Sequence, residues 1–150
     1  MIGIVAKSLN NAIGIDDKLP WHYKDDMLWF RFITNGQNII FGRKTYENIP
    51  NNEFKDRNVY VLTSNKDYKP KYDNVYVIHS IKDAPQNSFL CGGLSLYNNY
   101  LKDCDEIYVT IIPEIINNAT HYLEFDFKGY WFTRVVRREN GLEIQHLIKY

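Results

Sequence analysis

Short apolar runs with almost no polar interruption constrain the fold of this chain more than any other feature. Ile2-Gly-Ile-Val-Ala6 and Asn38-Ile-Ile-Phe41 lack the apolar–polar alternation of a half-solvated strand. Runs of this kind read as strands buried on both faces, as in a parallel sheet. Further strands are expected at 58–62, 75–78, 88–91 and 106–112. Helical stretches fall between them. One runs from about Asp25 to Thr34 and is stopped by Asn35-Gly36; a short one follows Gly42 through Glu47 and breaks at Pro50. Ser80 caps another that Pro85 ends, and a fourth spans Leu94 to Lys102 with an apolar face at Leu94, Tyr97 and Leu101. The polar stretch 65–74 reads as loop, and 114–129 has no clear period. Trp131–Arg138 and Leu142–Lys149 flank Glu139-Asn140-Gly141, a strong hairpin signal. The expected fold is α/β: a mixed, mostly parallel sheet in a three-layer α/β/α arrangement, with a C-terminal antiparallel hairpin at one edge, all in one domain spanning 1–150.

Composition narrows the function. Eighteen basic and 18 acidic residues cancel, which argues against nucleic acid as a partner. Tyr supplies 12 of the aromatic residues; rings at the edges of a strand-rich core explain this as well as a stacking surface does. Cys91 and Cys104 fit neither a zinc pattern nor a disulfide framework. Both are expected as reduced thiols in a cytoplasmic chain. No signal peptide and no membrane-length apolar run is read.

The stretch Asn11 to Phe30 carries the strongest functional signal. Its first half has no regular period, yet holds Ile13, Ile15, Leu19 and Trp21. A loop this apolar lies over something, as lids and binding loops do. Its second half opens a helix with Asp25 and Asp26, followed by the dense apolar run Met27–Phe30. A carboxylate there is paired, capping or chemical. Helical spacing does not separate the two: Asp25 shares a face with Leu28, Trp29 and Phe32, and Asp26 with Trp29, Phe30 and Ile33.

Three strand ends share another chemistry. The strand 38–41 leads into Gly42-Arg43-Lys44-Thr45, 58–62 into Thr63-Ser64, and 88–91 into Gly92-Gly93. In open α/β sheets ligands sit at the carboxyl ends of strands. Each feature alone has an ordinary reading, a tight turn or a solvated charge pair. Together they favour a nucleotide. Arg, Lys and Ser stand where an acidic residue would read a ribose hydroxyl, which favours a 2′-phosphate and hence NADPH.

Ile13-Gly14, Leu19-Pro20-Trp21, Asp26, Phe30 and Thr34, followed by Gly42-Arg43, Thr45, Glu47, Arg57, Gly92-Gly93, Tyr97 and Thr110, resemble in order and spacing the motifs of dihydrofolate reductases. The resemblance covers nearly the whole chain. It implies NADPH-dependent reduction of 7,8-dihydrofolate to tetrahydrofolate, by hydride transfer to C6 and protonation of N5, supplying one-carbon and thymidylate metabolism. It implies a monomer that antifolate inhibitors bind. Asp26, not Asp25, matches the acidic residue of the pterin pocket, where it polarises the ring while a water delivers the proton. Trp21 positions that water, Leu19 gates its entry from the lid, Thr110 bonds Asp26, and Tyr97 completes the catalytic set. Val5, Ala6, Leu28, Phe30, Ile49 and Phe54 line the pterin and benzoyl pocket, and Arg57 takes the glutamate tail. Ala6, Ile13, Gly14, Cys91, Leu94 and Tyr97 border the nicotinamide side. Gly42, Arg43, Lys44, Thr45, Leu62, Thr63, Ser64, Gly92, Gly93 and Ser95 complete the cofactor set. His22, His79, His121 and His146 receive no catalytic role.

The chain departs from the family pattern at three places. Lys55-Asp56 replaces the Pro-Gly before the tail arginine, Asn118-Ala119-Thr120 replaces Gly-Asp-Thr, and Ser64 stands where arginine is common. The Ala119 departure puts the lid's anchoring in question. Two rival readings remain. One is a related reductase of riboflavin synthesis, against which Arg57 and Phe54 speak. The other is a silent binding protein, against which the joint presence of Trp21, Asp26 and Thr110 speaks.

Overall fold

A computed structural model describes residues 1–150 except Asp17 and Glu139, and leaves out the side chains of Asn51 and Asn52. Glu139, in the expected hairpin turn, and Asp17, in the apolar loop, therefore lie outside the described residues. In chain order the elements are β1 (Ile2–Ser8), β2 (Ala12–Gly14), α1 (Lys24–Thr34), β3 (Asn38–Gly42), α2 (Arg43–Glu47), β4 (Asn58–Leu62), β5 (Val75–Ile78), β6 (Phe89–Leu90), α3 (Leu94–Tyr100), β7 (Glu106–Ile112), β8 (His121–Tyr122), β9 (Tyr130–Arg137) and β10 (Glu143–Lys149).

Eight strands form one sheet in the order β5-β4-β3-β6-β1-β7-β10-β9. The six strands from β5 to β7 run parallel, and β10 and β9 add an antiparallel edge. Alternating side chains divide between the two faces, as the pleat requires. Ile4, Ile39, Phe41, Val59, Val61 and Phe89 point to one face, where Phe30 and Ile33 of α1 cover them. Val5, Ile40, Leu90, Ile107 and Val109 point to the other, under Leu96, Tyr97 and Leu101. Both faces of the central strands are dry, which explains why their sequences show no alternation.

The segment 114–129, unreadable from sequence, contributes β8. It pairs antiparallel with β2 in a separate two-stranded sheet. These strands are two and three residues long, too short to show a period. The expected helix after Gly92-Gly93 ends at Tyr100, and Leu101–Asp103 continues as a single tight turn. No helix among the described residues is long and apolar enough to cross a membrane.

The chain leaves β1 toward β3 on one side, and leaves β6 toward β7 on the other, passing β1. Ligand crevices in open α/β sheets form where connections diverge in this way. Glycine keeps the middle of β1 close to its cover: a Cβ on Gly3 would lie 2.7 Å from Leu101 Cδ2 and 3.3 Å from Ile107 Cγ1. Gly3→Ala is expected to lower unfolding stability by about 1–3 kcal/mol through overpacking, measured as a lower midpoint in urea with an unchanged slope.

Candidate functional site

A cavity of about 650 Å³ opens at the carboxyl ends of β1, β3 and β6, under the loop after β2. The first turns of α1 supply one wall. Asp26, Met27, Phe30 and Arg31 recur at helical spacing and face it. β1 supplies Ile4, Val5 and Ala6, and β7 supplies Thr110, which lies beside Ala6 in the parallel register. Ile49 and Phe54 close the outer end, while Lys44, Thr45, Gly93, Leu94 and Tyr97 form the opposite wall. Ile13, Gly14 and Leu19 reach it from the loop, and Cys91 from the end of β6. The lining is mostly apolar with a few polar groups, as ligand clefts usually are.

The two adjacent carboxylates, inseparable by spacing, part company here. Asp25 accepts a hydrogen bond from Asn140 Nδ2 at 3.2 Å, in the turn of the C-terminal hairpin, and does not line the cavity. Asp26 turns inward. Burial raises its pKa above the ordinary carboxylate value, and the Trp21 and Thr110 side chains beside it pull the other way without cancelling the rise. Trp21 is buried, and its indole N–H stands by the carboxyl outside good hydrogen-bond geometry, so that donor is left unsatisfied. Trp29, in the cavity wall, has a second unsatisfied indole N–H. A dry slot with one half-buried carboxylate and nearby unpaired donors is built for a flat polar heterocycle.

The family model described as dihydrofolate reductase matches residues 1–147. The chain belongs to the dihydrofolate reductase family. Membership makes it an enzyme of that kind. It is 35% identical to a dihydrofolate reductase of Bacillus subtilis over 144 residues, covering 92% of this chain and 82% of that protein. It is 32% identical to one of Staphylococcus aureus over 130 residues, covering 85% and 80%. A solved dihydrofolate reductase of Enterococcus faecalis, complexed with NADP(H) and RAB-propyl, superposes with a TM-score of 0.83 at 26% identity over 99% of this chain and 95% of that one.

Not every expected site residue lines the cavity: Trp21 and Arg57 stand outside its lining. Leu28 is 47% exposed and outside the cavity lining, and Met27 lines it instead. A residue two positions from Asp26 lies about 200° around the helix from it. Tyr97 lines the cavity, but its hydroxyl lies 2.8 Å from both the Ile4 and Cys91 carbonyl oxygens, and burial holds its pKa well above the ordinary value. That proton ties β1 to the end of β6 and is not available as an acid. Cys91 is likewise kept as a thiol by burial.

Of the remaining cofactor set, Gly42, Arg43, Leu62, Thr63, Ser64, Gly92 and Ser95 are not in the cavity lining. Gly42 and Leu62 pair in register across β3 and β4, and Gly42 N donates to Gly92 O at 2.8 Å. The three strand ends are therefore neighbours along one rim. Arg43 is ion-paired with Glu47 at 3.3 Å, and Ser64 is exposed. At Gly93 a Cβ would lie 2.6 Å from Thr45 Oγ1, so only glycine lets α2 and the double-glycine turn approach this closely.

His121, given no role from sequence, lines the cavity next to the lid. The lid itself is a tight turn closed by Ile15 N–Lys18 O and Lys18 N–Ile15 O bonds of 2.9 and 3.0 Å. Thr120 replaces the anchor that Ala119 lacks: its Oγ1 accepts from Asp16 N at 2.6 Å, and its N donates to Gly14 O at 3.0 Å. His121 Nδ1 lies 2.9 Å from the same hydroxyl.

The raised pKa of Asp26 has a stability consequence. A carboxylate disfavoured in the fold costs nothing while protonated, and costs stability as pH rises through the raised value. Asp26→Asn is therefore expected to melt at a higher temperature than the parent near neutral pH. The gain should vanish once pH falls below about 4, where the unfolded-state carboxyl is protonated too. Melting curves across this range check it; a loss of stability at neutral pH would contradict the burial argument.

Proposed function

We infer that this enzyme reduces 7,8-dihydrofolate to tetrahydrofolate with NADPH, and so feeds one-carbon and thymidylate metabolism. The observation that carries the reading is the half-buried Asp26 in an apolar slot beside the double-glycine turn. The Enterococcus faecalis relative's complex with NADP(H) supports the choice of cofactor. The close-packed Gly93–Thr45 contact, with Lys44 beside it, fits a phosphate-bearing group at this rim. Bound there, a reduced nicotinamide supplies the hydride for C6 of the substrate.

The chain's own residues do the rest. Asp26 accepts two hydrogen bonds from the pterin, at N3 and at the 2-amino group, and Thr110 holds the carboxyl at that angle. The apolar walls exclude bulk water, which strengthens this pairing. Trp21 keeps an unsatisfied N–H beside the carboxyl, a site for the water that carries the proton to N5. Leu19 covers this end of the slot from the lid. Val5, Ala6, Phe30, Ile49 and Phe54 hold the rings by contact.

Arg57 is preorganised for the substrate's glutamate carboxylate. It is 8% exposed. Three of its N–H groups are committed: Nε to Thr34 Oγ1 at 3.0 Å, Nη1 to Lys55 O at 2.6 Å and Nη2 to Arg31 O at 2.7 Å. A guanidinium carries five N–H donors, so among the described residues one on each Nη has no partner and can donate to a carboxylate. The cleft also suits flat antifolates. Free thiols at Cys91 and Cys104 fit a reducing cytoplasm, and a single chain holds the whole cleft, in keeping with a monomer.

Absorbance at 340 nm tests the reading: it should fall only when enzyme, NADPH and dihydrofolate are all present. Asp26→Asn should lower kcat/KM by about 10²-fold or more at neutral pH with NADPH affinity retained; unchanged turnover would remove Asp26 from the pterin site. Arg57→Leu should raise KM for dihydrofolate by at least about tenfold and spare a tail-less dihydropterin. Equal effects on the two substrates would remove the tail assignment.

A further inference from the structure

β4 and β5 pair in parallel with Val59 opposite Val75, which brings the residues just before the two strands side by side. Before β4 stands the turn Phe54–Arg57, and before β5 stands Asn74. The turn is of type II. Lys55 has φ −54° and ψ +139°, Asp56 has φ +65°, and Arg57 N donates to Phe54 O at 3.1 Å. Proline at the first central position and glycine at the second suit such a turn best. Proline's ring sets the first φ, and glycine enters the left-handed region without penalty. Lys55-Asp56, standing where the family carries Pro-Gly, gives neither help, and aspartate enters that region at a cost.

Asn74 supplies what the turn's own residues lack. The sheet holds its backbone: Asn74 O accepts from Val59 N at 2.8 Å. Its side chain is half-buried and faces two carbonyl oxygens, so the amide presents its nitrogen. Nδ2 donates to Phe54 O at 3.2 Å and to Arg57 O at 3.1 Å. Both amide hydrogens are used, and they clamp the first and last residues of the turn. The middle of the turn in turn reaches the Arg57 side chain, because Lys55 O accepts from Arg57 Nη1 at 2.6 Å. In a type I turn, open to most residues, the peptide between Lys55 and Asp56 is rotated by about half a turn. The Lys55 carbonyl would then point away from Nη1.

We propose that Asn74 is a positioning residue for Arg57. It holds the type II turn in place of Pro-Gly, so that Lys55 O keeps the guanidinium turned to offer its free N–H groups to the substrate's glutamate carboxylate. The proposal rests on the reductase reading above and on its assignment of Arg57 to the tail. It adds a residue outside the lining of the cleft, which acts through the turn alone.

The test is steady-state NADPH oxidation by the full chain, with dihydrofolate and with a tail-less dihydropterin, beside Arg57→Leu as reference. Asn74→Ala should raise KM for dihydrofolate about five-fold, the scale of one lost hydrogen bond, and leave kcat and both constants for the tail-less substrate as in the parent. Asn74→Asp, which keeps the shape and loses both donors, should give the same split. Adding Lys55→Pro and Asp56→Gly to Asn74→Ala should return KM for dihydrofolate to the parent value, because a turn of those residues holds itself. Three results overturn the proposal while leaving the reductase reading in place: an unchanged KM in both Asn74 variants, a rise shared equally by the two substrates, or a rise that Pro-Gly does not reverse. If Arg57→Leu fails to separate the substrates, the tail assignment falls and takes the proposal with it. Absence of turnover with either substrate overturns the reductase reading and the proposal together.

Discussion

Two-sided burial of the central strands is the constraint from which the rest of this molecule follows. β1, β3 and β6 lie between α1 and α3 with apolar side chains on both faces. A parallel sheet cannot leave either face wet, because its crossover connections lay helices on both. Those crossovers bring every loop that follows a parallel strand to the same rim. The cleft, the double-glycine turn and the rim of backbone contacts between Gly42 and Gly92 are consequences of that geometry. The apolar stretch from β2 to α1 has this rim to lie over, which explains why it carries Ile13, Leu19 and Trp21, the last buried against Ile112 and Leu142.

Within that frame the site depends on holding a carboxylate where water is scarce. Asp26 projects from the first turn of α1 into the slot, with Trp21 from the loop and Thr110 from β7 on either side. Each comes from a different part of the chain, and their meeting point is the divergence of connections around β1. The opposite end of α1 is held in a related way. Arg57 donates to Arg31 O and, through Thr34 Oγ1, reaches the last turn of the helix, where backbone carbonyls lack partners. One helix thus carries the acidic group at its start and positions the basic group at its end.

At the departures 55–56 and 118–120 the structure shows what this chain's own residues do. Asp56 takes up the left-handed turn at φ +65°, a conformation that asparagine, aspartate and glycine tolerate best. Thr120 supplies a hydroxyl acceptor to the lid where Ala119 has no polar atom.

Much of the fold was legible because its causes are local. The unbroken apolar runs at Ile2–Ala6 and 38–41, the Asn35-Gly36 stop and the Asn140-Gly141 turn each act over a few residues, and each marks an element of the structure. β2 and β8 were not legible, since strands this short exist only by pairing with each other from more than a hundred residues apart. Leu28 was expected in the cleft from the family resemblance, but helical rotation over two residues carries it to the outer side and leaves Met27 facing in. His121 gave no signal because its position depends on β8. What the sequence determined by itself is the two-sided sheet, the covering helices and the order of motifs along the rim, all of which follow from near-neighbour chemistry. Which of two adjacent aspartates faces the slot, and whether the Tyr97 hydroxyl is free or spent on backbone carbonyls, only the tertiary structure decided. Those answers depend on Asn140, Thr110 and Ile4, partners that no local pattern can bring into contact.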